Sequence, residues 1–372
     1  MPTLETTVNG VKFPNPFVIG SGPPSTNARV INRSFNDGWG GSSAKTVSLD
    51  ASKVTNVAPR YGRLKDAGGE TYGWENIELI STMSFEQWLD EFKAVKDAHP
   101  DHVLIASIME EYNKDAWFEI IERCEAVGVD MFECNFSCPH GLPERKMGAA
   151  MGQDMEVLST VCTWVAEAAT KPVWAKMTPN VTHIEDPTAV SLDAGIDGVT
   201  AINTIRSVIG VDLKTLRPMP TVEGYTTVGG YSCKAVKPIA LRMTMEIATL
   251  IREKYPQATL SGMGGIETGE DAAEFILLGS DTVQVCTGVM KHGYDLAQKL
   301  ADELLAFMDQ HGFETIDDFK GKALPYFTTH ADLVHRQAEA REAKARKRRG
   351  ITTDEKWDGD DFVKQSDELV GN

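Results

Sequence analysis

The chain reads as an α/β protein built on a (β/α)8 TIM barrel with a charged C-terminal helical extension and tail. Three observations lead there. Short apolar runs alternate with amphipathic stretches from residue 16 to about 310, the pattern of parallel strands joined by helices. Eight such runs occur, which favours a closed barrel over an open sheet. Several amphipathic stretches end in Gly before a small or acidic residue, the left-handed cap that turns a helix back to its next strand.

In chain order the expected strands are Phe17–Ile19, Ser42–Thr46, Val103–Ile108 and Met131–Cys134, then Val173–Lys176, Gly198–Ile202, Thr259–Gly262 and Thr282–Val285. Between them, Phe85–Asp97, Lys114–Val127, Met155–Ala169, Ile239–Lys254 and Gly269–Leu278 carry apolar residues three or four apart, one buried face of a helix. The caps are read at Gly128, Gly195 and Gly279. Residues 1–325 form the barrel domain and residues 326–372 a C-terminal extension.

The extension has a different character. Asp332 to Arg349 is rich in Ala, Glu and Arg and stops at Gly350, a solvated helix whose terminal cations complement its dipole. Thr352 to Asn372 is acidic, with scattered Trp357, Phe362, Val363, Leu369 and Val370. Such a tail cannot build its own core but can clip onto a neighbour. The expected neighbour is an electron-donating or identical subunit.

With 372 residues, 42% of them hydrophobic, the chain can bury a large core, and one barrel of roughly 250 residues plus extensions fits. A net charge of -17 argues against nucleic acid or an anionic membrane as the main partner. No apolar stretch reaches the ~18 residues of a spanning helix, and residues 1–6 lack a signal peptide's basic and apolar regions. A cytoplasmic protein is expected. The six cysteines lack framework spacing and read as reduced thiols, and no C-x-x-C pair occurs, so neither an iron-sulfur cluster nor another metal site is expected in this chain.

Barrel chemistry belongs at the carboxyl ends of the strands. The first strand exits into Gly20-Ser21-Gly22, the second into Lys45-Thr46, and the fourth into Asn135-Phe136-Ser137-Cys138-Pro139-His140. Lys176 ends the fifth, Asn203-Thr204 follow the sixth, and Gly264-Gly265 and Cys286-Thr287-Gly288 end the last two. A lone Lys there can be a structural ion-pair partner, and a lone Ser or Thr a cap. A bare Gly-Gly can be a tight turn, but after the seventh strand its backbone N–H groups can also cradle a phosphate.

Several segments together resemble the pyrimidine-reducing domain of the dihydropyrimidine dehydrogenases. They are Cys138 within Asn-x-Ser-Cys-Pro-His-Gly, Thr55 to Arg60, Asn76 to Ser81, Lys176 to Thr182, Asp197 to Thr204, and Gly229 to Ser232. The resemblance runs over about residues 10 to 325 in the same order. Class 1 dihydroorotate dehydrogenases are broader relatives, usually with Asn where this chain has His140.

The resemblance implies an FMN-containing barrel. Ser21, Lys45, Thr46 and Lys176 would meet the cofactor, with the two lysines near the pyrimidine edge of the flavin. Cys233, Met263, Gly264, Gly265, Cys286 and Thr287 would complete its site. The pyrimidine would lie against Asn76, Asn135, Phe136, Ser137, Asn203 and Thr204, whose amides and hydroxyls match a ring of alternating carbonyls and N–H groups. Hydride would go to C6 of the 5,6 double bond and Cys138 would give the proton to C5. A thiol of reference pKa ~8.5 is mostly protonated at neutral pH and suits that role. Cys124, Cys134 and Cys162 read as inert core thiols. His140 is expected to bond the backbone of its loop, and Gly141 to Gly148 to form a mobile flap.

Three departures bear on function. The chain carries no cluster motif and no Gly-x-Gly-x-x-Gly, so electrons would come from NAD(P)H through a partner subunit, in a homo- or hetero-oligomer. Cys233 stands where Gly is expected. Trp74-Glu75 and the Ile205–Val228 loop, with Arg206, alter the pocket, which leaves open a related cyclic enone-like or amide ring as substrate, dihydroorotate less so. A redox-inactive assembly or ligand-sensing barrel is the alternative from another class.

Overall fold

A computed structural model describes residues 2–138, 147–348 and 366. The chain divides into two units, Met1–Leu324 and Pro325–Asn372. In the first, eight parallel strands close into a barrel in sequence order. These are β1 (Phe17–Ile19), β2 (Gly41–Ser43), β3 (Val103–Ile108), β4 (Met131–Asn135), β5 (Val173–Lys176), β6 (Gly198–Ala201), β7 (Thr259–Met263) and β8 (Thr282–Val285). Closure is made by Gln284 of β8 opposite Val18 of β1.

The expected second strand, Ser42–Thr46, stops at Ser43. The Lys45 amide donates to Ser25 O at 2.8 Å and so leaves the ladder, while Val47 N–H bonds back to Ser107 O. That break carries the Lys45 and Thr46 side chains into the strand-end loop. The other seven strands lie within one residue of their expected limits.

Among the described residues of this unit, eight helices of nine or more residues follow the strands: α1 (Ala28–Asn36), α2 (Phe85–Ala98), α3 (Lys114–Ala126), α4 (Met155–Ala168), α5 (Glu185–Asp193), α6 (Lys237–Lys254), α7 (Gly269–Leu277) and α8 (Leu296–His311). Helix α2 shows why the sequence makes them. Ser84 and Gln87 form a reciprocal capping box, and Trp88, Phe92 and Val95, four and three apart, bury one stripe. Gly195 ends α5 with φ 98°, a conformation that disfavours any other residue.

The barrel interior has two layers. Below, Val18, Ile105, Met131 and Trp174 form an apolar layer sealed by a hairpin, Thr6–Val8 and Val11–Phe13, that inserts Val8 and Phe13. Phe13 lies parallel to Trp174, whose indole N–H donates to Asn9 at the hairpin turn. Above, the inward side chains are polar, and that layer faces the strands' C-terminal ends.

Over those ends lies a four-stranded antiparallel sheet of Ile205–Ser207, Gly229–Ser232, Thr71–Asn76 and Tyr61–Lys65. The Ile205–Val228 loop thus supplies one strand of this sheet and a hairpin, Gly210–Asp212 with Arg217–Met219, whose neighbourhood exposes Leu213, Leu216 and Tyr225. In the second unit, α9 (His330–Arg348) is almost wholly exposed through residue 345, and Asp332 pairs with Arg336 one turn on. His140, residues 141–146 of the expected flap, and the tail apart from Ser366 lie outside the described residues.

Candidate active site

Seven of the eight strand ends and the overlying sheet enclose one cavity of about 1120 Å³, open mouth included. All ten residues expected at the cofactor line it, from Ser21, Lys45 and Thr46 to Lys176 and the Met263–Gly265, Cys286–Thr287 and Cys233 segments. Cys138, Asn76, Asn135, Asn203 and Thr204 line it too. Phe136 and Ser137 do not. The Phe136 ring turns into the core against Trp117, and Ser137 is fully buried behind the asparagines.

Asn135 and Asn203 are wired together through Ser137. Asn135 Nδ2 donates to Thr46 Oγ1 at 2.9 Å, and its Oδ1 accepts from the Ser137 amide and hydroxyl. Asn203 Nδ2 donates to that hydroxyl, and its Oδ1 accepts from Thr204 N. Asn76, brought over the mouth by the sheet, donates to Gly230 O and accepts from Glu78 N. Among the described residues, one N–H each of Asn76 and Asn135 and one lone pair each on Asn76 Oδ1 and Asn203 Oδ1 remain for a ring ligand, while Asn135 Oδ1 is filled by three donors.

Cys138 is 8% exposed and packs with Ile80, Met109 and Met147, where the chain re-enters after the 139–146 segment. Ala149 N–H bonds Cys138 O at 3.0 Å, which ties the backbone at the thiol to the short helix Ala149–Gly152. Cys124 and Cys162, by contrast, are sealed in the core, where burial pushes their thiols up to about 12. Burial also pushes Cys286, on the cavity wall, up to about 11. These three stay neutral near pH 7.

Two cations stand on the wall. Lys45 pairs with Glu78 at 3.0 Å, and Glu78 also meets Arg60 at 3.2 Å. Burial and the Glu78 charge push the neighbouring Tyr61 hydroxyl up, so it remains a neutral phenol. Lys176 pairs with Glu133 at 3.0 Å, both almost fully enclosed. At the far end, Gly264 and Gly265 have φ of 145° and 76°, and a Cβ on Gly264 would sit 2.5 Å from Ala240 Cβ. Only glycine brings the backbone N–H groups in here. Gln284 Oε1 on the wall is buried with no hydrogen-bond partner among the described residues. Nor, among them, is any group of three or more His, Cys, Asp or Glu arranged to hold a metal ion.

Cys233 adopts φ 80° and ψ -171°, a region almost reserved for glycine, which accounts for Gly being expected there. Its thiol is buried and points to Thr71 O at 3.7 Å and Glu267 Oε1 at 3.8 Å. Glu267 is itself gripped by Lys291 at 2.7 Å. Both Cys233→Gly and Cys233→Ala lose the thiol, so comparing them isolates the backbone. Cys233→Gly is expected to be the more stable by about 1–2 kcal/mol, strain relief less glycine's entropy cost, checked by urea denaturation. Equal midpoints would show that the strain is absent.

Sequence reasoning missed Glu133, Gln284, Tyr61 and Tyr231. The first two carried a signal, a polar residue inside each of two apolar strand runs.

Comparison with known proteins adds to this geometry. The dihydroorotate dehydrogenase family profile matches residues 3–308. A chloroplastic dihydropyrimidine dehydrogenase (NADP(+)) of Arabidopsis thaliana is 59% identical over 377 residues, covering 100% of this chain and 88% of that protein. The NAD-dependent dihydropyrimidine dehydrogenase subunit PreA of Escherichia coli K12 is 39% identical, covering 86% of this chain and 76% of its own length. The catalytic subunit of dihydroorotate dehydrogenase B (NAD(+)) of Methanocaldococcus jannaschii is 31% identical, covering 86% and 98%. Among solved structures, an Eimeria tenella DHODH in complex with ferulenol superposes with a TM-score of 0.70 at 22% identity, covering 86% of this chain and 88% of that one.

Proposed function

The chain belongs to the dihydroorotate dehydrogenase family, and from that premise we propose that it is an FMN-dependent oxidoreductase acting on the 5,6 double bond of a pyrimidine. The observation that carries the reading is one cavity holding an enclosed thiol, two linked asparagines with a third from the overlying sheet, and two paired lysines. Similarity to two dihydropyrimidine dehydrogenases at 59% and 39% identity selects uracil or thymine over dihydroorotate.

The walls fit FMN. Gly264 and Gly265 allow close approach to a phosphate, with Cys286 and Thr287 beside them. The orphaned Gln284 Oε1 suits a ring N–H, and Lys45 and Lys176 suit a ring that gains negative charge. When bound, FMN supplies a hydride to C6 of the pyrimidine.

The chain's own residues do the rest. Asn76, Asn135, Asn203 and Thr204 hold the ring by its carbonyls and N–H groups. Ser137 does not touch it but fixes Asn135 and Asn203 in one orientation. Cys138 gives its proton to C5 and regains one from solvent, or takes it in the reverse direction. Ile80, Met109 and Met147 pack beside the thiol and leave it 8% exposed, on the side from which it is reprotonated.

Electrons enter from NAD(P)H through a partner subunit, since PreA is named as a subunit of an NAD-dependent enzyme. Six cysteines in the thiol form fit a reducing compartment, either cytoplasm or, as for the Arabidopsis relative, the chloroplast. No described helix is long and apolar enough to cross a membrane.

The test is anaerobic spectroscopy of the purified protein. A flavin absorbance band bleached by dihydrouracil is expected. A protein that binds no FMN, or one bleached by dihydroorotate and not by dihydrouracil, would overturn the reading.

A further inference from the structure

The polar layer inside the barrel converges on one side chain. Glu133 is 0% exposed. Its carboxyl accepts from Ser43 Oγ at 3.1 Å, Lys176 Nζ at 3.0 Å, Thr200 Oγ1 at 2.9 Å and Gln284 Nε2 at 2.6 Å. These donors come from β2, β5, β6 and β8. Four donors and no donation match a carboxylate, which is acceptor-only.

A buried charge is costly, and a hydrophobic cluster would fill a barrel at lower cost. The lower layer of this barrel does that. What distinguishes the upper layer is its contact with the cavity, because Lys176 and Gln284 both line it and both are held from behind by Glu133.

We infer that Glu133 is a positioning residue that pins the Lys176 ammonium and offsets its charge, so setting the reduction potential of the bound cofactor. This rests on the FMN reading of the cavity. In a dry interior the Glu133 charge is weakly screened and is felt beyond its direct partner. Without it Lys176 presents an unbalanced cation to the ring. The carboxylate thus limits how strongly the reduced cofactor is favoured, and keeps it able to pass electrons on.

Glu133→Gln removes the charge and keeps most of the hydrogen-bond shell. Its amide oxygen can still accept from Lys176 and Ser43. Its NH2 can donate to Thr200 Oγ1 and, after rotation of the Gln284 amide, to the orphaned Gln284 Oε1. That rotation turns the Gln284 NH2 toward the cavity, so Gln284→Met, which removes the same hydrogen bond and keeps the Glu133 charge, is measured beside it as the control.

The experiment measures the midpoint potential of bound FMN at one fixed pH for all variants. Glu133→Gln is expected to raise the reduced-to-oxidised ratio at fixed potential by about tenfold, ~30 mV for a two-electron couple. Lys176→Met is expected to lower it, leaving a bare carboxylate. The double variant, with neither charge, should lie between them, close to the parent protein. A Glu133→Gln midpoint equal to the parent's overturns the inference. If that variant loses FMN, Lys176→Met and the double variant decide, and equal midpoints for those two show that the Glu133 charge does not reach the cofactor. Failure of the parent protein itself to bind FMN would count against the cavity reading instead.

Discussion

Cys138→Ala is expected to lower pyrimidine turnover by about 10²–10⁴-fold, the usual worth of a positioned general acid, with FMN still bound at full occupancy. The two effects separate because the side chain packs with Ile80, Met109 and Met147, away from the Gly264–Gly265 end of the cavity. Truncation there removes a proton donor and a small volume, and leaves the lysines and the phosphate cradle alone. Cys138→Ser should fall between parent and alanine variant, since a hydroxyl occupies the place but is a far weaker acid than a thiol. Rapid mixing of the reduced protein with uracil under anaerobic conditions reads the step directly. A Cys138→Ala variant that reoxidises at the parental rate would falsify the assignment of the proton to this thiol.

Asn203→Asp is expected to raise the KM for the pyrimidine by about 10²–10³-fold, corresponding to roughly 3–4 kcal/mol. In the native site Asn203 donates to Ser137 Oγ and lies 3.5 Å from Asn135 Oδ1. A carboxylate turns the second of these into acceptor against acceptor, and sets a negative charge beside the ring carbonyls. The hydrogen bond from Thr204 N survives, so the strand end should keep its shape. Asn203→Ala, which removes the donor without adding charge, should cost about tenfold. Steady-state kinetics with uracil, together with the flavin content of each variant, separates substrate from cofactor effects. An unchanged KM in Asn203→Asp would remove this residue from the binding set.

The barrel was legible because its strands are buried on both faces, so each reads as a short apolar run with little ambiguity of place. The Ser42–Thr46 run misled because its composition continues while the Lys45 N–H turns aside to Ser25 O, a contact across 20 residues. The N-terminal hairpin had its signal in Asn9-Gly10 between Val8 and Val11, the dipeptide of a tight two-residue turn. The overlying sheet had none. It pairs Asn76 with Gly230, strands drawn from two separate loops, and such pairing leaves no local trace.

At the site, the same contrast holds. Barrel geometry brought the strand-end residues to one rim, the family resemblance supplied the full set of seventeen, and fifteen of those residues line the cavity. Phe136 turned inward because it follows Asn135 by one residue, on the side of the chain that faces the core. Glu133 looked like an interruption of the Met131–Cys134 run, and its four partners lie 43 to 151 residues away.

The hairpin that seals the lower end of the barrel also governs traffic. Val8 and Phe13 are 1% and 0% exposed, so nothing passes through that end. Among the described residues the cavity lies at the opposite end, under the overlying sheet, so product leaves and the next pyrimidine arrives on that side, and a lingering product queues against incoming substrate.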